Sequence, residues 1–406
     1  MRLIFQNPQF RLLWISVAFN DMGVFLYFMV QGWLVLTLTD SAFWVGATLG
    51  MSGLGTMSFS AVGGVLADRL DRRSLVIGGQ LVQATYASII AALILTDHVQ
   101  LWQILLVAFV DGGVASIKLP AREALTFDIV GRENLLRATA ANFMAMTLFG
   151  MIAPLVGGIV VTAFDIGWAY VIWAGVTLAS TAVLLRLKGV SRRRSETRGS
   201  PLQDLKIGIR YALSTPTVRT LLLIMLVTEM FGWAHEAMLP VMARDEFHVD
   251  ATGFGYLLTV AAAGALVGTL AVSAMGGIKE KGRLMVLGQG GFGLFLVLFA
   301  LSTSFPLSMV LLGAAYALGV AFEAAIATLL QTSVPDEMRG RILSFQAFLW
   351  GVSFSSGFHT GAIASAVGAP VTIAIGGGIV FLNALRLLPT MSRFRDPAET
   401  VAEAGD

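Results

Sequence analysis

Apolar stretches of transmembrane length recur along the whole chain, and a short polar connector separates each from the next. A bilayer core of about 30 Å needs roughly 20 helical residues per crossing, so every stretch predicts one membrane-spanning helix. We expect twelve crossings, near residues 12–37, 43–66, 75–95, 101–124, 137–163, 166–187, 218–242, 252–275, 284–303, 307–332, 342–366 and 369–389. These segments use nearly the whole length and leave no room for a separate soluble domain.

Positive charges divide the connectors into two classes. Of the 27 Lys and Arg residues, all but Arg244 fall at the termini or in alternate connectors and their flanks. Basic connectors stay on the cytoplasmic side of a membrane, so both termini are predicted to be cytoplasmic in a multi-pass protein of the cytoplasmic (inner) membrane. Because the charges are scattered rather than gathered on one face, we expect no nucleic-acid partner.

The composition favours the same class of protein. The chain has 406 residues, 56% of them hydrophobic and 13% charged, and its mean hydropathy is +0.79. An average soluble domain has roughly 25% charged residues, and a chain this poor in charge cannot cover a water-exposed surface. The absence of cysteine excludes disulfides, thiolate metal sites and cysteine nucleophiles.

Two motif fragments known from soluble enzymes occur in the chain, but each lacks a feature that its motif requires. The spacing Gly288-x-Gly290-x-x-Gly293 matches a dinucleotide-binding fingerprint, but it lies inside a predicted crossing with no strand before it. His235-Glu236 begins like a zinc-protease motif, but Leu239 occupies the position of the second histidine. We therefore expect no enzymatic activity, no metal and no cofactor.

The chain divides into two halves of six crossings. At an offset of 208, Pro8, Arg11 and Leu13 recur as Pro216, Arg219 and Leu221; at 204, Val130, Glu133, Arg137 and Gly157 recur as Val334, Glu337, Arg341 and Gly361. We predict an N-terminal bundle over 1–187, a linker over 188–217, a C-terminal bundle over 218–390 and a cytoplasmic tail over 391–406. Apolar residues at helical spacing in the linker indicate a short amphipathic helix on the membrane surface, or alternatively a solvated basic linker.

Several short motifs indicate a family. Residues 64–73, GVLADRLDRR, match the cytoplasmic loop signature of the major facilitator superfamily, with Asp71 where the general pattern has glycine. Further matches are Asn7-Pro8, FRLL at 10–13, Pro120-Ala121-Arg122 and the run 334–341. The whole chain resembles a transporter of this superfamily, in the branch of macrolide efflux proteins, enterobactin exporters and transmembrane secretion effectors. The resemblance implies an all-α integral membrane fold of twelve transmembrane helices in two pseudo-symmetric six-helix bundles, working by alternating access.

The loop signature predicts a set of gating residues: Gly64, Asp68, Arg69, Arg72, Arg73 and Arg122. Gly64 permits close helix approach, and Asp68 can face the positive end of a neighbouring helix or pair with Arg122. By resemblance these contacts latch the outward-facing state and release when the bundles rock. The alternative is that the arginines only fix the topology.

Residues 153–158, APLVGG, resemble an element of antiporters in the fifth helix, with Ala153 in place of its first glycine. Pro154 removes a backbone donor and can bend the helix, while Gly157 and Gly158 allow tight packing. The arginine signature expected in the fourth helix is absent, and Asp111 lies in that part of the helix instead.

Five acidic residues lie too deep in predicted crossings to belong to connectors: Asp21, Asp111, Glu229, Glu236 and Glu323. Asp21 follows Arg11 by ten residues and Glu229 follows Arg219 by ten, which places both roughly 15 Å into the bilayer. Because a carboxylate at the bilayer centre costs on the order of 3 kcal/mol, we expect these acids to converge on a water-accessible cleft. For each, the alternative is a hydrogen bond between helices.

Such acids favour a proton-coupled mechanism. Burial and mutual repulsion favour the neutral acid, and a neutral carboxyl crosses an apolar barrier easily. A negative lining attracts cations, and Lys118 is the one deep counterweight that the sequence offers. Tyr27 and Trp233 are candidates for stacking on an aromatic substrate, although core packing explains them equally well. His235 and His359 are assigned to packing or hydrogen bonding.

The sequence thus predicts a monomeric secondary transporter in the lipid bilayer, which exports small amphipathic cationic or neutral compounds in exchange for protons. Its energy source is the proton gradient, without a cofactor. A siderophore exporter or lysophospholipid flippase is the alternative within transport, although acidic cargoes require buried basic residues that the sequence barely supplies. A receptor or scaffold without transport activity is the alternative outside it.

Overall fold

The computed structural model describes residues 4–188, 210–275, 281–335, 338, 348–349 and 351–389, apart from the side chains at 61, 64–65 and 67–69. The secondary structure of this described part is helical. Its helices are α1 Pro8–Thr39, α2 Ala42–Arg69, α3 Arg72–Leu95, α4 Leu101–Ala163, α5 Ile166–Leu185, α6 Pro216–Val227, α7 Ala251–Ala274, α8 Lys281–Leu301, α9 Phe305–Thr332, α10 Gly357–Val367 and α11 Ala369–Leu387. An irregular helical segment, 228–246, continues α6.

Helix α4 contains two of the predicted crossings. Its 63 residues would span roughly 95 Å as one straight helix, about three times the thickness of a bilayer core. The backbone leaves helical geometry at Gly131, where φ is 71° and ψ is 175°. The positive φ is easily adopted only by glycine, so this residue separates a first arm, 101–130, from a second arm, 132–163.

The helices confirm the all-α, twelve-helix fold. Six crossings come from α1, α2, α3, the two arms of α4, and α5, and six from 216–246, α7, α8, α9, the helical residues 351–367, and α11. Part of the predicted crossing 342–366 lies outside the described residues. Among those described, nine helical runs are long and apolar enough to cross a membrane by length and composition.

The chain separates into two compact units. Unit 1 contains Met1–Arg198 and His248–Thr259, and unit 2 contains Gly199–Phe247 and Val260–Asp406. Most of the predicted linker, 188–217, and the tail, 391–406, lie outside the described residues, so the amphipathic helix of the linker stays a prediction. The predicted boundaries of the two bundles likewise stay a prediction.

Polar side chains mark where the helices of unit 1 begin. The Asn7 side chain accepts hydrogen bonds from the backbone of Gln9 and Phe10, and Pro8 supplies the first residue of α1. Asp71 accepts a 2.8 Å hydrogen bond from the backbone N–H of Ser74 and so caps α3. This capping gives a structural reason for an aspartate where the superfamily pattern has glycine.

Glycines bring α2 and the first arm of α4 into backbone contact. A Cβ atom on Gly55 would lie 2.0 Å from the carbonyl oxygen of Phe109, and one on Gly112 would lie 2.0 Å from the carbonyl oxygen of Ser52. In a bilayer the hydrophobic effect does not drive helices together. Small residues stabilise helix contacts there because they let the two backbones approach closely. This packing fixes the position of Asp111, which neighbours Gly112.

Each unit has its own apolar core. In unit 1 it includes Leu13, Val17 and Leu125. In unit 2 a larger core joins α6, α8 and α9 and includes Met225 and Ile326. The deep polar side chains described below are therefore held between packed helices.

Candidate functional site

Unit 1 holds a buried ion pair between α1 and α4. Arg122 Nη1 lies 2.9 Å from Asp21 Oδ1, and only 7% of the Asp21 side chain is exposed. The second carboxylate oxygen of Asp21 is buried without a hydrogen-bond partner. The sequence predicts that Arg122 belongs to the gating set, with Asp68 as its possible partner. The structure pairs Arg122 with the deep acid Asp21, and a contact of Arg122 with Asp68 stays a prediction because the Asp68 side chain lies outside the described part.

Lys118 links both deep acids of unit 1 through two amides. Its ammonium donates to Asn20 Oδ1 at 2.7 Å and to Gln83 Oε1. Asn20 Nδ2 donates to Asp21 Oδ1 at 3.1 Å, and Gln83 Nε2 donates to Asp111 Oδ1 at 2.7 Å. Each amide therefore accepts from the cation and donates to an acid.

The polar network of unit 1 is balanced in charge. It joins two acids, two bases and two amides in one hydrogen-bonded chain, with the Tyr86 hydroxyl as a further donor to Asp111. The sequence predicts Lys118 as the only deep positive charge. That statement was wrong, because Arg122 adds a second one. Opposite charges that are buried together stabilise each other, because removing one partner leaves the other charge uncompensated.

Tyr27 stacks on a ring of its own unit. Its ring centroid lies 4.3 Å from that of Trp173 on α5, and only 3% of Tyr27 is exposed. One face of the Tyr27 ring is therefore already covered. Its hydroxyl adjoins the side chains of Gln31, one turn further along α1, and of Ser52.

The acids of unit 2 lie on an irregular helix. Residues Thr228–Gly232 form a π-helical turn and Trp233–Met238 a 3₁₀ helix, so Glu229 and Glu236 lie in different helix types. Pro240 has no N–H to donate to the carbonyl group of Glu236, which removes one α-helical hydrogen bond. Single π-helical turns occur frequently at functional sites.

Three glutamates come together in unit 2. Glu229 is 3% exposed, and Glu323 and Glu236 lie within electrostatic range of it. Trp233 Nε1 donates to Glu323 Oε1 at 3.3 Å, and the Tyr316 hydroxyl donates to Glu236 Oε1 at 2.8 Å. Within the described residues of this unit, no Lys or Arg forms an ion pair with any of the three. The cluster thus contains acids and neutral donors.

Aromatic rings and histidines surround this cluster. Trp233 packs on Phe292 and Tyr316, with ring centroids 4.8 and 5.3 Å away. His235 Nδ1 lies 2.7 Å from the carbonyl oxygen of Gly232, so this nitrogen carries the proton and Nε2 presents a lone pair. His359 Nε2 lies 3.1 Å from the carbonyl oxygen of Met230. Both histidines therefore bond to the backbone of the irregular segment.

The basic residues after α2 bind helices of unit 1. Arg72 pairs with Asp128 at 2.6 Å, and Arg73 donates to the carbonyl oxygens of Leu184 and Leu185 at 3.0 and 2.9 Å. These contacts tie the start of α3 to α4 and to the end of α5. The other gating residues, Gly64, Asp68 and Arg69, have side chains or surroundings outside the described part, and their role stays a prediction.

The glycines after Pro154 lie at tight contacts. A Cβ on Gly157 would lie 2.7 Å from Leu26 Cδ1, and one on Gly158 would lie 2.4 Å from the carbonyl oxygen of Ala251. The backbone of α4 stays helical through Pro154, because Gly131 is its one non-helical residue. A bend at Pro154 therefore stays a prediction.

The model of one protein family covers residues 4–403 of this chain, and the family is described as transmembrane secretion effector. The chain belongs to the transmembrane secretion effector family of the major facilitator superfamily. Its homologues are exporters rather than enzymes, and transporters of this superfamily need no cofactor. In the described residues, no group of three His, Asp or Glu side chains is arranged to hold a metal ion.

Relatives of this family member include enterobactin exporters. The enterobactin exporter EntS of Escherichia coli O6:K15:H31 is 28% identical over 421 residues, which covers 100% of this chain and 98% of that protein. EntS of Shigella boydii serotype 18 is 28% identical over 411 residues, covering 97% and 95%.

Solved structures share the fold at lower identity. The nucleoside transporter NupG has a TM-score of 0.78 and 13% identity over 95% of this chain and 99% of that one. A bacterial homologue of the human lysosomal transporter Spinster has a TM-score of 0.68 and 14% identity over 97% and 96%. The protein is accordingly a multi-pass membrane transporter of the major facilitator type.

Sequence reasoning missed the neutral partners of the deep acids. Asn20, Gln83 and Tyr316 all lie in long apolar helices, and a polar residue in such a position is itself a signal. Asn20 adjoins Asp21, and Tyr316 precedes Glu323 by two helical turns on the same face. Reading amides and phenols together with acids would have identified both clusters.

Proposed function

We propose that this protein is a proton-coupled secondary exporter of small amphipathic compounds, cationic or neutral, working by alternating access. We further propose that it lies in the cytoplasmic membrane with both termini in the cytoplasm. The family and its exporter relatives support export of small molecules. The deep acids support proton coupling through one observation.

That observation is the difference in charge balance between the two units. Asp21 has Arg122 as its partner, whereas Glu229 and its neighbours Glu236 and Glu323 have acidic and neutral neighbours among the described residues. The offset of 204 between the halves places Ile326 in register with Arg122. The position that supplies a cation in unit 1 is thus apolar in unit 2, and Ile326 is fully buried.

Physical chemistry connects this difference to proton coupling. Three carboxylates cannot all stay ionised at this depth without a cation, because the cost of burial and their mutual repulsion add. The cluster has to bind protons or a cationic group of the substrate. If the two compete for the same carboxylates, entry of a proton displaces the substrate, which is the exchange that an exporter needs.

The membrane potential then contributes to transport. Each elementary charge that moves through 100 mV contributes about 2.3 kcal/mol. A proton entering the cell in exchange for a neutral substrate uses this energy in full. Exchange of one proton for one monovalent cation is electroneutral and is driven by the pH gradient alone.

Substrate-induced proton release tests the proposal. Purified protein in weakly buffered detergent solution is titrated with ethidium, a lipophilic cation, and with erythromycin, while a pH-sensitive dye records released protons. We expect Glu229→Gln and Glu323→Gln each to reduce the number of protons released on substrate binding, by at least the contribution of the one carboxyl group that is removed. Glu133→Gln is the matched control, because Glu133 is exposed whereas Glu229 is buried.

Transport in proteoliposomes supplies the second measurement. An imposed pH gradient should drive ethidium accumulation by the wild type and by Glu133→Gln, whereas Glu229→Gln should only equilibrate it. Proton-driven accumulation by Glu229→Gln at the wild-type rate would contradict the assignment of coupling to this cluster.

Siderophore export is the second candidate function. The shortage of buried basic residues was the argument against an acidic cargo, but unit 1 places Lys118 and Arg122 in one polar network. The enterobactin exporters among the relatives favour the same function. Transport of enterobactin that is lost in Lys118→Met while ethidium transport persists would favour it over export of cationic or neutral compounds.

A further inference from the structure

We propose that Lys118 is a second proton-exchanging group of the transporter, in unit 1. Its ammonium releases one proton when a cationic group of the substrate binds Asp111, and the amine binds a proton again when the substrate leaves. The inference rests on the proposed function in so far as a cationic substrate is exchanged for protons. It adds a coupling site that is separate from the glutamates of unit 2.

The hydrogen bonds of Lys118 are compatible with both protonation states. The residue is 6% exposed, and its ammonium donates to two neutral amides, Asn20 Oδ1 at 2.7 Å and Gln83 Oε1. An ammonium has three N–H groups, and the described residues supply acceptors for two of them. A neutral amine has two N–H groups and a lone pair. Loss of one proton therefore leaves both of these contacts intact.

Asp111 depends on Lys118 for its counter-charge without contacting it. Arg122 lies 2.9 Å from Asp21, whereas Lys118 reaches Asp111 through Gln83. Within the described part of unit 1, no Lys or Arg forms an ion pair with Asp111. The other polar groups of this network on the neighbouring helices are neutral: Asn20 on α1, Gln80, Gln83 and Tyr86 on α3, and Ser180 and Thr181, which bond to Gln80, on α5. The network thus has one positive charge that a second cation can replace.

The Asp111 carboxylate is open to such a cation. Both hydrogen bonds that it accepts, from Gln83 and Tyr86, arrive at Oδ1, and the residue is partly exposed. A cationic group can therefore bind the carboxylate while both hydrogen bonds persist. It supplies the positive charge that Lys118 otherwise provides and repels the ammonium. Burial then favours the neutral amine of Lys118, because nothing compensates the desolvation of its charge.

A cavity beside Lys118 gives the released proton a route. Its volume is about 10 Å³, which is room for a water molecule and too little for an organic substrate. Its polar lining includes Asn20, Gln80, Lys118 and Arg122. Leu13 and Leu184 also line it, near the end of unit 1 at which α1 begins and α5 ends. A water molecule there accepts the proton as the N–H bond of Lys118 breaks, on the side of the cavity that leads to the predicted cytoplasmic surface.

Proton release from the purified full-length protein tests the inference. Ethidium is added in weakly buffered detergent solution over the neutral and mildly alkaline range, and a pH-sensitive dye records the released protons. Lys118→Met should release fewer protons per bound ethidium than the wild type, by up to one. Lys188→Met is the matched control, because Lys188 is exposed, and it should release as many as the wild type. Equal release by Lys118→Met and the wild type would overturn the inference.

Lys118→Arg separates proton exchange from a structural role. An arginine keeps its charge and does not lose its proton in a protein. We expect Lys118→Arg to weaken ethidium binding by at least about 5-fold, the lower end of the usual coupling between two sites. Lys118→Met, which removes the competing charge, should bind ethidium at least as tightly as the wild type. Equal weakening in both variants would mean that Lys118 has a structural role only.

Nuclear magnetic resonance follows the proton on the wild-type side chain itself. The chain has five lysines, and isotopic labelling of their side-chain nitrogens distinguishes an ammonium from an amine. The signal that is missing in Lys118→Met belongs to Lys118. Saturating ethidium should convert this signal from ammonium to amine, and an ammonium signal that persists would overturn the inference.

Failure of this inference and failure of the proposed function give different results. If ethidium releases no protons from the wild type, exchange of cations for protons fails as a whole. If Glu229→Gln releases fewer protons than the wild type while Lys118→Met releases as many, coupling in unit 2 stands and the role of Lys118 is refuted.

Discussion

Removing Arg122 tests whether the ion pair of unit 1 is a structural element. In Arg122→Met the Asp21 carboxylate keeps one hydrogen bond, from Asn20, and loses its direct counter-charge. Breaking a buried pair by removing one partner costs about 3–5 kcal/mol, because the remaining charge is left uncompensated. Lys118 contributes some positive charge through Asn20, so we expect the lower end, about 3 kcal/mol. That is more than a 100-fold loss in the ratio of folded to unfolded protein.

Removing Asp21 and removing Arg122 should not destabilise the protein equally. The Arg122 side chain is 20% exposed and that of Asp21 is 7% exposed, so an unpaired guanidinium reaches solvent more easily than an unpaired carboxylate. We expect Asp21→Asn to cost about half as much as Arg122→Met, and the double variant to lie within about 1 kcal/mol of the wild type. Thermal unfolding in detergent, followed by tryptophan fluorescence, gives the order of the three midpoints.

Arg186→Met is the control for this series, because Arg186 is exposed at the end of α5. Its midpoint should equal that of the wild type. If Arg122→Met matched this control, or if the double variant were destabilised by the sum of the single effects, the pair would not be the stabilising unit that the geometry indicates.

Two further predictions concern glycines. Gly112→Ala should fail to give a monodisperse protein, because its Cβ would lie 2.0 Å from the backbone oxygen of Ser52, whereas Gly157→Ala meets the flexible end of Leu26 and should cost about 1–3 kcal/mol; yield and thermal midpoint distinguish the two. Gly131→Ala should cost about 1–3 kcal/mol despite the open space around it, because φ 71° with ψ 175° is a region essentially restricted to glycine, and Gly131→Asn should cost about as much in the same unfolding measurement.

The helices were predictable because they follow from length, whereas the depth of the acids in the membrane, which rests on the same count, stays a prediction. Apolar runs long enough for a bilayer define the crossings, and counting from Arg11 and Arg219 places Asp21 and Glu229 at mid-depth. The break at Gly131 agrees with the polar connector predicted between 124 and 137. These conclusions need no knowledge of where any side chain points.

The partners of the acids depend on side-chain direction, and there the sequence reasoning failed. Side chains on a helix tilt towards its N-terminus. Arg11 lies at the start of α1 and is directed out of the helix end, whereas Arg122 lies near the end of the first arm of α4 and is directed back towards mid-depth. Grouping Arg122 with connector residues ignored this difference. The π-helical turn at Glu229 has no sequence pattern, and Pro240 accounts only for the missing α-helical hydrogen bond at Glu236.

The same rule of direction extends to unit 2 and gives a last prediction. Ile326 is in register with Arg122 and lies on α9, which corresponds to the first arm of α4. An arginine at this position would be directed back towards Glu229, as Arg122 is towards Asp21. Ile326→Arg should therefore create an ion pair in unit 2 and hold the Glu229 carboxylate ionised.

Ile326→Arg should reduce substrate-induced proton release by about as much as Glu229→Gln does. The variant places a charge in the apolar core that includes Met225, so its stability should depend on Glu229 as a partner. The combination of Ile326→Arg with Glu229→Gln should consequently unfold at a lower temperature than Ile326→Arg alone. Equal midpoints for these two proteins would mean that the arginine does not reach Glu229. The missing cation at position 326 would then no longer explain why the glutamates of unit 2 remain unpaired.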